Sequence, residues 1–146
     1  MDVAAFIISK QAQIPTKESQ PVLVKKKMKI LEPQTEISIA PNSPATILEE
    51  INNAGGIDEI VTISPNTNFG VIVEADGRTL LDKTYSEIHA LSQQGKYLSA
   101  FHDVNGLYVL NIGELMTWSN NIRVILKSTS GSFKLSQVYA KYFIYE

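Results

Sequence analysis

Few residues in this sequence carry side chains that commonly do chemistry. There are two histidines, His89 and His102, and no cysteine, so disulfides, thiolate nucleophiles and cysteine metal sites are all excluded. Asp103 follows His102, but adjacent residues of a strand point to opposite faces and cannot pair as base and orienting acid. Two histidines without a carboxylate partner make a poor metal or hydrolase site. We therefore expect no catalytic residue, no cofactor and no metal.

Other motifs that could support catalysis or ligand binding are equally incomplete. The acidic pairs Glu49-Glu50 and Asp58-Glu59 could supply carboxylates for glycosidic chemistry, but neighbours on a strand point in opposite directions. The run from Asp103 to Gly106 lacks the later ligands of a calcium loop. Gly55-Gly56 lacks the lysine and hydroxyl residue of a phosphate-binding loop. These patterns favour solvated carboxylates and turns.

The basic cluster Lys25-Lys26-Lys27-Met28-Lys29 is the clearest candidate for binding nucleic acid. A protein that binds single strands combines positive charge with aromatic stacking platforms, and this cluster contains no aromatic residue. The net charge of the whole chain is −2. We expect no nucleic-acid partner and interpret the cluster as the charged face of a strand.

Aromatic residues accumulate near the end of the chain. By period-2 parity, Tyr139, Phe143 and Tyr145 face one way and Tyr142 faces the other way together with Val138. One side of this strand should pack in the core. An exposed stripe of Tyr139, Phe143 and Tyr145 would be a contact surface for a partner, either a protein or a glycan on a host receptor.

Charge and composition divide the chain in two. Residues 1–35 carry six lysines and three acids, whereas residues 36–146 carry seven Lys/Arg and twelve acids. A basic segment on an acidic body suits an arm that lies on a neighbouring copy, although two solvated surfaces of unlike charge are equally compatible. No apolar run approaches the ~18 residues of a membrane helix, and the acidic second residue argues against a signal peptide, so no membrane association is expected.

Residues 1–42 are predicted to form an extended N-terminal arm. They contain four prolines and no glycine, a spacing that prevents a long helix. Within the arm segment Val22–Leu31, Val22, Val24, Met28 and Ile30 fall on one face and Lys25, Lys27 and Lys29 on the other, with Lys26 breaking the alternation. This pattern predicts a strand with a charged outer face. Residues 36–40 form a second, shorter candidate strand.

The first element of the body, residues 43–56, has two interpretations. Ser43-Pro44 could begin a helix with Ile47, Leu48 and Ile51 on one face. Alternatively, residues 46–51 form a strand that turns before Gly55-Gly56. Local signals favour the helix, whereas the strand-rich sequence that follows favours the strand, which we choose.

The remaining pattern predicts an antiparallel, all-β sandwich of jelly-roll-like type over residues 43–146. Asp76-Gly77 predicts a hairpin turn, and Thr84-Tyr85-Ser86-Glu87 predicts the capping box of a single short helix over 85–93. A change of parity near Ser136-Gln137 predicts a β-bulge inside a final strand. The predicted strands are 57–64, 69–74, 78–82, 97–104, 107–112, 122–127 and 133–145.

From about residue 45 onwards the chain resembles β-sandwich structural proteins of tailed bacteriophages. The residues that carry this resemblance are Ile47-Leu48-Glu49, Gly55–Ile60, Phe69–Gly77 with Leu80-Leu81, Tyr85–Ile88, Asn121–Leu126 and Phe133–Tyr145. Domains of this kind occur in tail, fibre-associated and capsid-decorating proteins. The resemblance implies a virion component that is assembled in the host cytoplasm.

The expected function is therefore assembly, with other virion proteins and further copies of this chain as partners. The alternative is a carbohydrate- or receptor-binding module. The residues predicted to bind a partner are those of the arm strand and the aromatic stripe: Val22, Val24, Lys25, Lys27, Met28, Lys29, Ile30, Tyr139, Phe143 and Tyr145.

Overall fold

The computed structural model describes residues 24–31, 37–92 and 97–145. These residues form twelve strands and one short helix. Their bounds are β1 Val24–Leu31, β2 Ile37–Ile39, β3 Ala45–Ile51, β4 Gly55–Ser64, β5 Phe69–Ala75, β6 Arg78–Thr84, α1 Tyr85–Leu91, β7 Leu98–His102, β8 Tyr108–Ile112, β9 Met116–Trp118, β10 Asn121–Ser128, β11 Phe133–Leu135 and β12 Gln137–Tyr145.

The strands form two main antiparallel sheets that pack face to face. Sheet 1 has the order β1-β12-β4-β8-β7, and β9 also pairs with β4. Sheet 2 has the order β3-β10-β5-β6, and β2 and β11 form a separate two-stranded ribbon. The prediction of an all-β sandwich with one short helix is confirmed.

The core lies between the sheets and is built from alternate strand residues. Ile60 and Leu110 of sheet 1 and Val71 and Leu126 of sheet 2 are fully buried in one apolar cluster. Period-2 alternation supplies this cluster, because every second residue of a strand faces the opposite sheet. Helix α1 adds Ile88 to the cluster and contacts β7, so it covers one side of the sandwich.

Two local predictions are confirmed in detail. Asp76 and Gly77 both have positive φ, 52° and 77°, as the tight turn between β5 and β6 requires. At the start of α1, the Glu87 N–H donates to Thr84 Oγ1 at 3.1 Å. The Thr84 N–H donates to Glu87 Oε1 at 3.2 Å, which completes the capping box.

Residues 43–56 adopt the strand and not the helix. Strand β3 pairs with β10, and their register shifts between Val124 and Ile125. The shift leaves Ile47 opposite no residue of β10, and both Ile47 and Leu48 are buried. This bulge explains the helix-like spacing of the apolar residues.

The final predicted strand is two strands and not one with a bulge. Phe133–Leu135 pairs with β2, whereas β12 pairs with β4 and β1. Between them the Ser136 N–H donates to the carbonyl of Ile63 at 2.9 Å. The interruption lets Leu135 and Val138 both enter the core, which is the change of parity seen in the sequence.

Strands β1 and β2 lie in the region predicted to be the arm, yet both pair with other strands of this chain. Residues Val24 to Leu31 are aligned with Tyr145 to Val138 of β12. Ile39 of β2 belongs to the core cluster. Residues 24–31 of the predicted arm therefore make their main-chain pairing within the chain itself.

Candidate interaction surface

The aromatic stripe, Tyr139, Phe143 and Tyr145, lies on the outer face of sheet 1. Val138, Ala140 and Tyr142 of the same strand are buried, so the three stripe residues point away from sheet 2. Tyr139 and Phe143 are half-buried and Tyr145 is 43% exposed. The parity predicted for this strand is confirmed.

A glycine on the neighbouring strand holds Phe143 against the sheet. An added Cβ at Gly56 would lie 2.6 Å from Cζ of Phe143 and 3.1 Å from Cδ1 of Leu115. The ring of Phe143 therefore occupies the space above Gly56. The rings of Phe143 and Tyr145 also meet edge to face, with centroids 5.5 Å apart. Two of the three stripe residues are thus fixed in position by direct contacts.

The apolar surface continues across the sheet through a second set of residues, here called the apolar strip: Val61, Ile63, Phe101 and Val109. Val61 is aligned with Tyr139 of β12, and Ile63 with Val109 of β8. Val109 is in turn aligned with Phe101 of β7. Directly opposed residues of an antiparallel pair share a face, so stripe and strip form one surface.

Burial supports this assignment of faces. Val109 is only 9% exposed, yet it is not part of the core cluster to which its neighbour Leu110 belongs. Phe101 is 46% exposed, whereas the adjacent Ala100 is in the core. The apolar strip was not predicted from the sequence. The available signal was the run Ile57–Ser64, in which apolar β-branched residues occupy both faces, as in strands buried on both sides.

The outer face of sheet 2 carries ion pairs around one aligned apolar pair, Ile125 and Ile72. Arg123 Nη2 lies 3.1 Å from Oε1 of Glu74, and Lys127 Nζ lies 2.5 Å from Oδ1 of Asp82. A shallow groove of about 310 Å³ on this face is lined by Glu49, Glu74 and Arg123 among others. Charged side chains that pair with each other within one sheet are typical of a solvated surface.

Strand β1 presents its residues differently from the sequence prediction. Lys27 Nζ lies 3.2 Å from Oε1 of Glu50 on β3 of the opposite sheet. Met28 is 57% exposed on the outer face. The predicted charged outer face is therefore wrong at Lys27, because its ammonium group finds a carboxylate on sheet 2. Burial raises the pKa of Tyr142 beside this pair, and the negative charge of Glu50 raises it further.

The other predicted arm residues are placed by backbone register alone. Val24, Lys25, Lys29 and Ile30 are aligned with Tyr145, Ile144, Ala140 and Tyr139 respectively. Val22 lies outside the described residues. Register thus brings Ile30 next to Tyr139, and Met28 next to Lys141. Strand β1, at the edge of sheet 1, therefore lies directly beside the strand that carries the aromatic stripe.

The fold does not bring together the histidine and aspartate side chains that could take part in catalysis or metal binding. His89 Nδ1 lies 2.7 Å from the carbonyl oxygen of Ala100, and His102 stacks on Tyr108. Asp103 accepts hydrogen bonds from the N–H groups of Asn105 and Leu107 within its own turn. Among the described residues, no three His, Cys, Asp or Glu side chains form a group that could hold a metal. No described helix is long and apolar enough to cross a membrane.

Comparisons with known proteins give structural likenesses of low score. No protein-family model and no curated protein matches the sequence. Dimeric latent PorU from Porphyromonas gingivalis is similar over 86% of this chain and 13% of its own, with 8% identity and a TM-score of 0.44. The VP2 subviral particle of infectious bursal disease virus is similar over 84% of this chain and 42% of its own, with 9% identity and a TM-score of 0.24. At these scores neither likeness supports an argument about function.

Proposed function

We propose that this chain is a non-enzymatic structural component of a virion, of the decoration, head–tail or tail accessory type. The observation that carries the proposal is the contrast between the two outer faces of the sandwich. Sheet 1 presents the aromatic stripe and the apolar strip, whereas sheet 2 surrounds Ile125 and Ile72 with ion pairs made within itself. A contiguous apolar surface of this kind marks a site of association.

Assembly fits the chemistry of the chain better than catalysis. A catalytic site needs acid, base or nucleophile side chains within hydrogen-bonding reach of one another. Here His89 contacts the carbonyl oxygen of Ala100 on β7, and Asp103 accepts from backbone N–H groups of its own turn. Most of the residues that do converge, from β4, β7, β8 and β12, are apolar or aromatic. They can exclude water from a partner surface.

The virion is the assembly that best suits the sequence. The strand-and-turn pattern from residue 45 onwards resembles sandwich proteins of tailed bacteriophages. The chain contains no cysteine, which is compatible with assembly in a reducing host cytoplasm. In this proposal the arm segment before β1 also reaches a neighbouring subunit, and its partners are other virion proteins and further copies of the chain.

The test is direct detection of the chain in particles. Virions are purified from a lysate of the host whose phage or prophage encodes this chain, and the chain is quantified by mass spectrometry against a known virion protein. The proposal expects a fixed copy number per particle that persists through density-gradient purification, and surface labelling by immunogold. Recovery of the chain only in the soluble fraction would refute it.

A carbohydrate- or receptor-binding module is the second candidate. It is favoured by Tyr145, a residue that is 43% exposed beside Phe143, because an open aromatic ring can stack on a sugar. A glycan array with the purified chain and a Tyr145→Ala variant separates the two functions. Glycan binding that Tyr145→Ala abolishes would support a carbohydrate-binding function. Failure to bind any glycan would rule that function out.

A further inference from the structure

Two opposite charges lie side by side within the apolar surface of sheet 1. Glu59 on β4 is aligned with Lys141 on β12, so both side chains lie on the outer face. Met28 is the next residue of the same row. Among the described residues, neither Glu59 nor Lys141 takes part in an ion pair. A partner surface could therefore satisfy both charges.

A second copy of the same face supplies the complementary arrangement. In a two-fold symmetric interface, a residue row meets the same row running in the opposite direction. Glu59 of one copy can then face Lys141 of the other, and Lys141 can face Glu59. The apolar strip and the aromatic stripe of the two copies meet on either side of these pairs.

We propose that the outer face of sheet 1 packs against the same face of a second copy in a two-fold dimer. This inference rests on the proposed function, because it names one of the contacts by which the chain assembles. The charges of sheet 2 argue against its outer face as the alternative surface. Arg123 and Lys127 are already paired with Glu74 and Asp82 of the same sheet, so a partner would gain little from them.

The size of the face agrees with a dimer interface. Five strands at ~4.8 Å spacing are about 24 Å wide, and the longer strands extend about 30 Å, so the face measures on the order of 700 Å². Side-chain relief adds accessible area to this flat estimate. A stable interface buries about 800 Å² per partner, which is within reach of the apolar strip, the stripe and their polar rim.

The experiment is sedimentation equilibrium of the full chain and a set of charge variants. Glu59→Lys and Lys141→Glu each place like charges across the proposed interface. Each is expected to raise the dimer Kd at least about tenfold, and the double variant Glu59→Lys/Lys141→Glu is expected to return it to within about threefold of the original value. Thr46→Lys, an exposed change on sheet 2, is the matched control and should leave the dimer unchanged.

The outcomes separate the dimer from the proposed function. A chain that is monomeric at all concentrations, or a double variant that is no better than the single ones, overturns the dimer. So does a Thr46→Lys variant that dissociates as readily as Glu59→Lys. Circular dichroism of each variant shows whether it is folded, and Phe101→Lys on the exposed end of the strip gives a second disruption that does not involve Glu59. A dimer that is absent from virions would refute the proposed function and leave the dimer intact.

Discussion

Lys27 on β1 and Glu50 on β3 form an ion pair of 3.2 Å that joins the edge of sheet 1 to the edge of sheet 2. The two residues are 23 positions apart, and their side chains are 34% and 17% exposed. The pair holds Lys27, which is aligned with the buried Tyr142, on the inner side of β1. The neighbouring Met28 is aligned with Lys141 and lies on the outer face of sheet 1.

A double-mutant cycle measures this connection. Lys27→Met and Glu50→Gln are each expected to lower the free energy of unfolding by about 1–2 kcal/mol, with a coupling energy of about 1 kcal/mol, because the pair is partly shielded from water. Urea unfolding of the four proteins gives the value. Arg123 and Glu74, a more exposed pair within sheet 2, should couple by about 0.5 kcal/mol or less. Equal coupling energies in the two pairs would contradict the conclusion that the Lys27–Glu50 pair is the one partly shielded from water.

The contact between Gly56 and Phe143 predicts a site that tolerates no side chain. In Gly56→Ala the new methyl group would meet the ring of Phe143 at 2.6 Å, so the ring must move. We expect a loss of about 1–3 kcal/mol in the free energy of unfolding, as for other overpacked sites. Gly113→Ala is the control, because its Cβ would have no neighbour closer than 3.6 Å. Equal stability of the two variants would show that Phe143 is not held in this position.

Asp76 should make the stability of the chain depend on pH. Hydrogen bonds from the backbone N–H groups of Ser119, Asn120 and Asn121 hold the pKa of Asp76 below its ordinary value of 3.8. A lowered pKa in the folded state means that the stabilisation is fully present above pH 3.8 and is lost as the pH falls through the folded-state pKa. Asp76→Asn keeps a residue suited to positive φ but removes the charge.

Thermal unfolding of the original chain and Asp76→Asn at a series of pH values tests this expectation. The Tm of the variant should be lower at neutral pH, and the difference should shrink as the solution becomes more acid than pH 3.8. Other groups with shifted pKa, such as Glu87, affect both proteins equally and cancel in the difference. A difference that does not vary with pH would show that the charge of Asp76 contributes nothing.

Two truncations separate the arm from the sandwich. Removal of residues 1–35 deletes β1, which leaves the edge of β12 unpaired and Glu50 without its Lys27 partner. This variant should unfold at a lower temperature or aggregate through the exposed edge. Removal of residues 1–23 keeps β1 and should leave the unfolding temperature unchanged while it impairs incorporation into particles. Normal incorporation of the chain that lacks residues 1–23 would contradict the proposal that the arm contacts a neighbouring subunit.

The sequence predicted the fold class because alternation and turn chemistry are local signals. Asp76-Gly77 and the capping box of Thr84 and Glu87 depend only on neighbouring residues, and both are as predicted. Residues 43–56 were ambiguous because the bulge at Ile47 imitates helical spacing. The three-residue step from Leu135 to Val138 predicts a bulge within one strand, because the sequence does not show that β11 pairs with β2.

The interaction surface could be predicted only in part from the sequence, for a related reason. Parity shows which residues of β12 share a face, but not which strands lie beside it. Val61, Ile63, Phe101 and Val109 become one surface only through the register of β4, β8 and β7. The inward orientation of Lys27 likewise depends on Glu50, a partner that local pattern cannot identify.

Hydroxyl-radical footprinting of the chain in its assembled state tests the central claim, that the outer face of sheet 1 is the contact surface. Met28 and Tyr145 are 57% and 43% exposed in the single chain, and Ile51, beside Glu49 and Arg123 on the outer face of sheet 2, is 60% exposed. Met28 and Tyr145 should be oxidised several-fold more slowly in the assembly than in the dilute chain, while the oxidation of Ile51 is unchanged. Equal oxidation of Met28 and Tyr145 in the two states would contradict it.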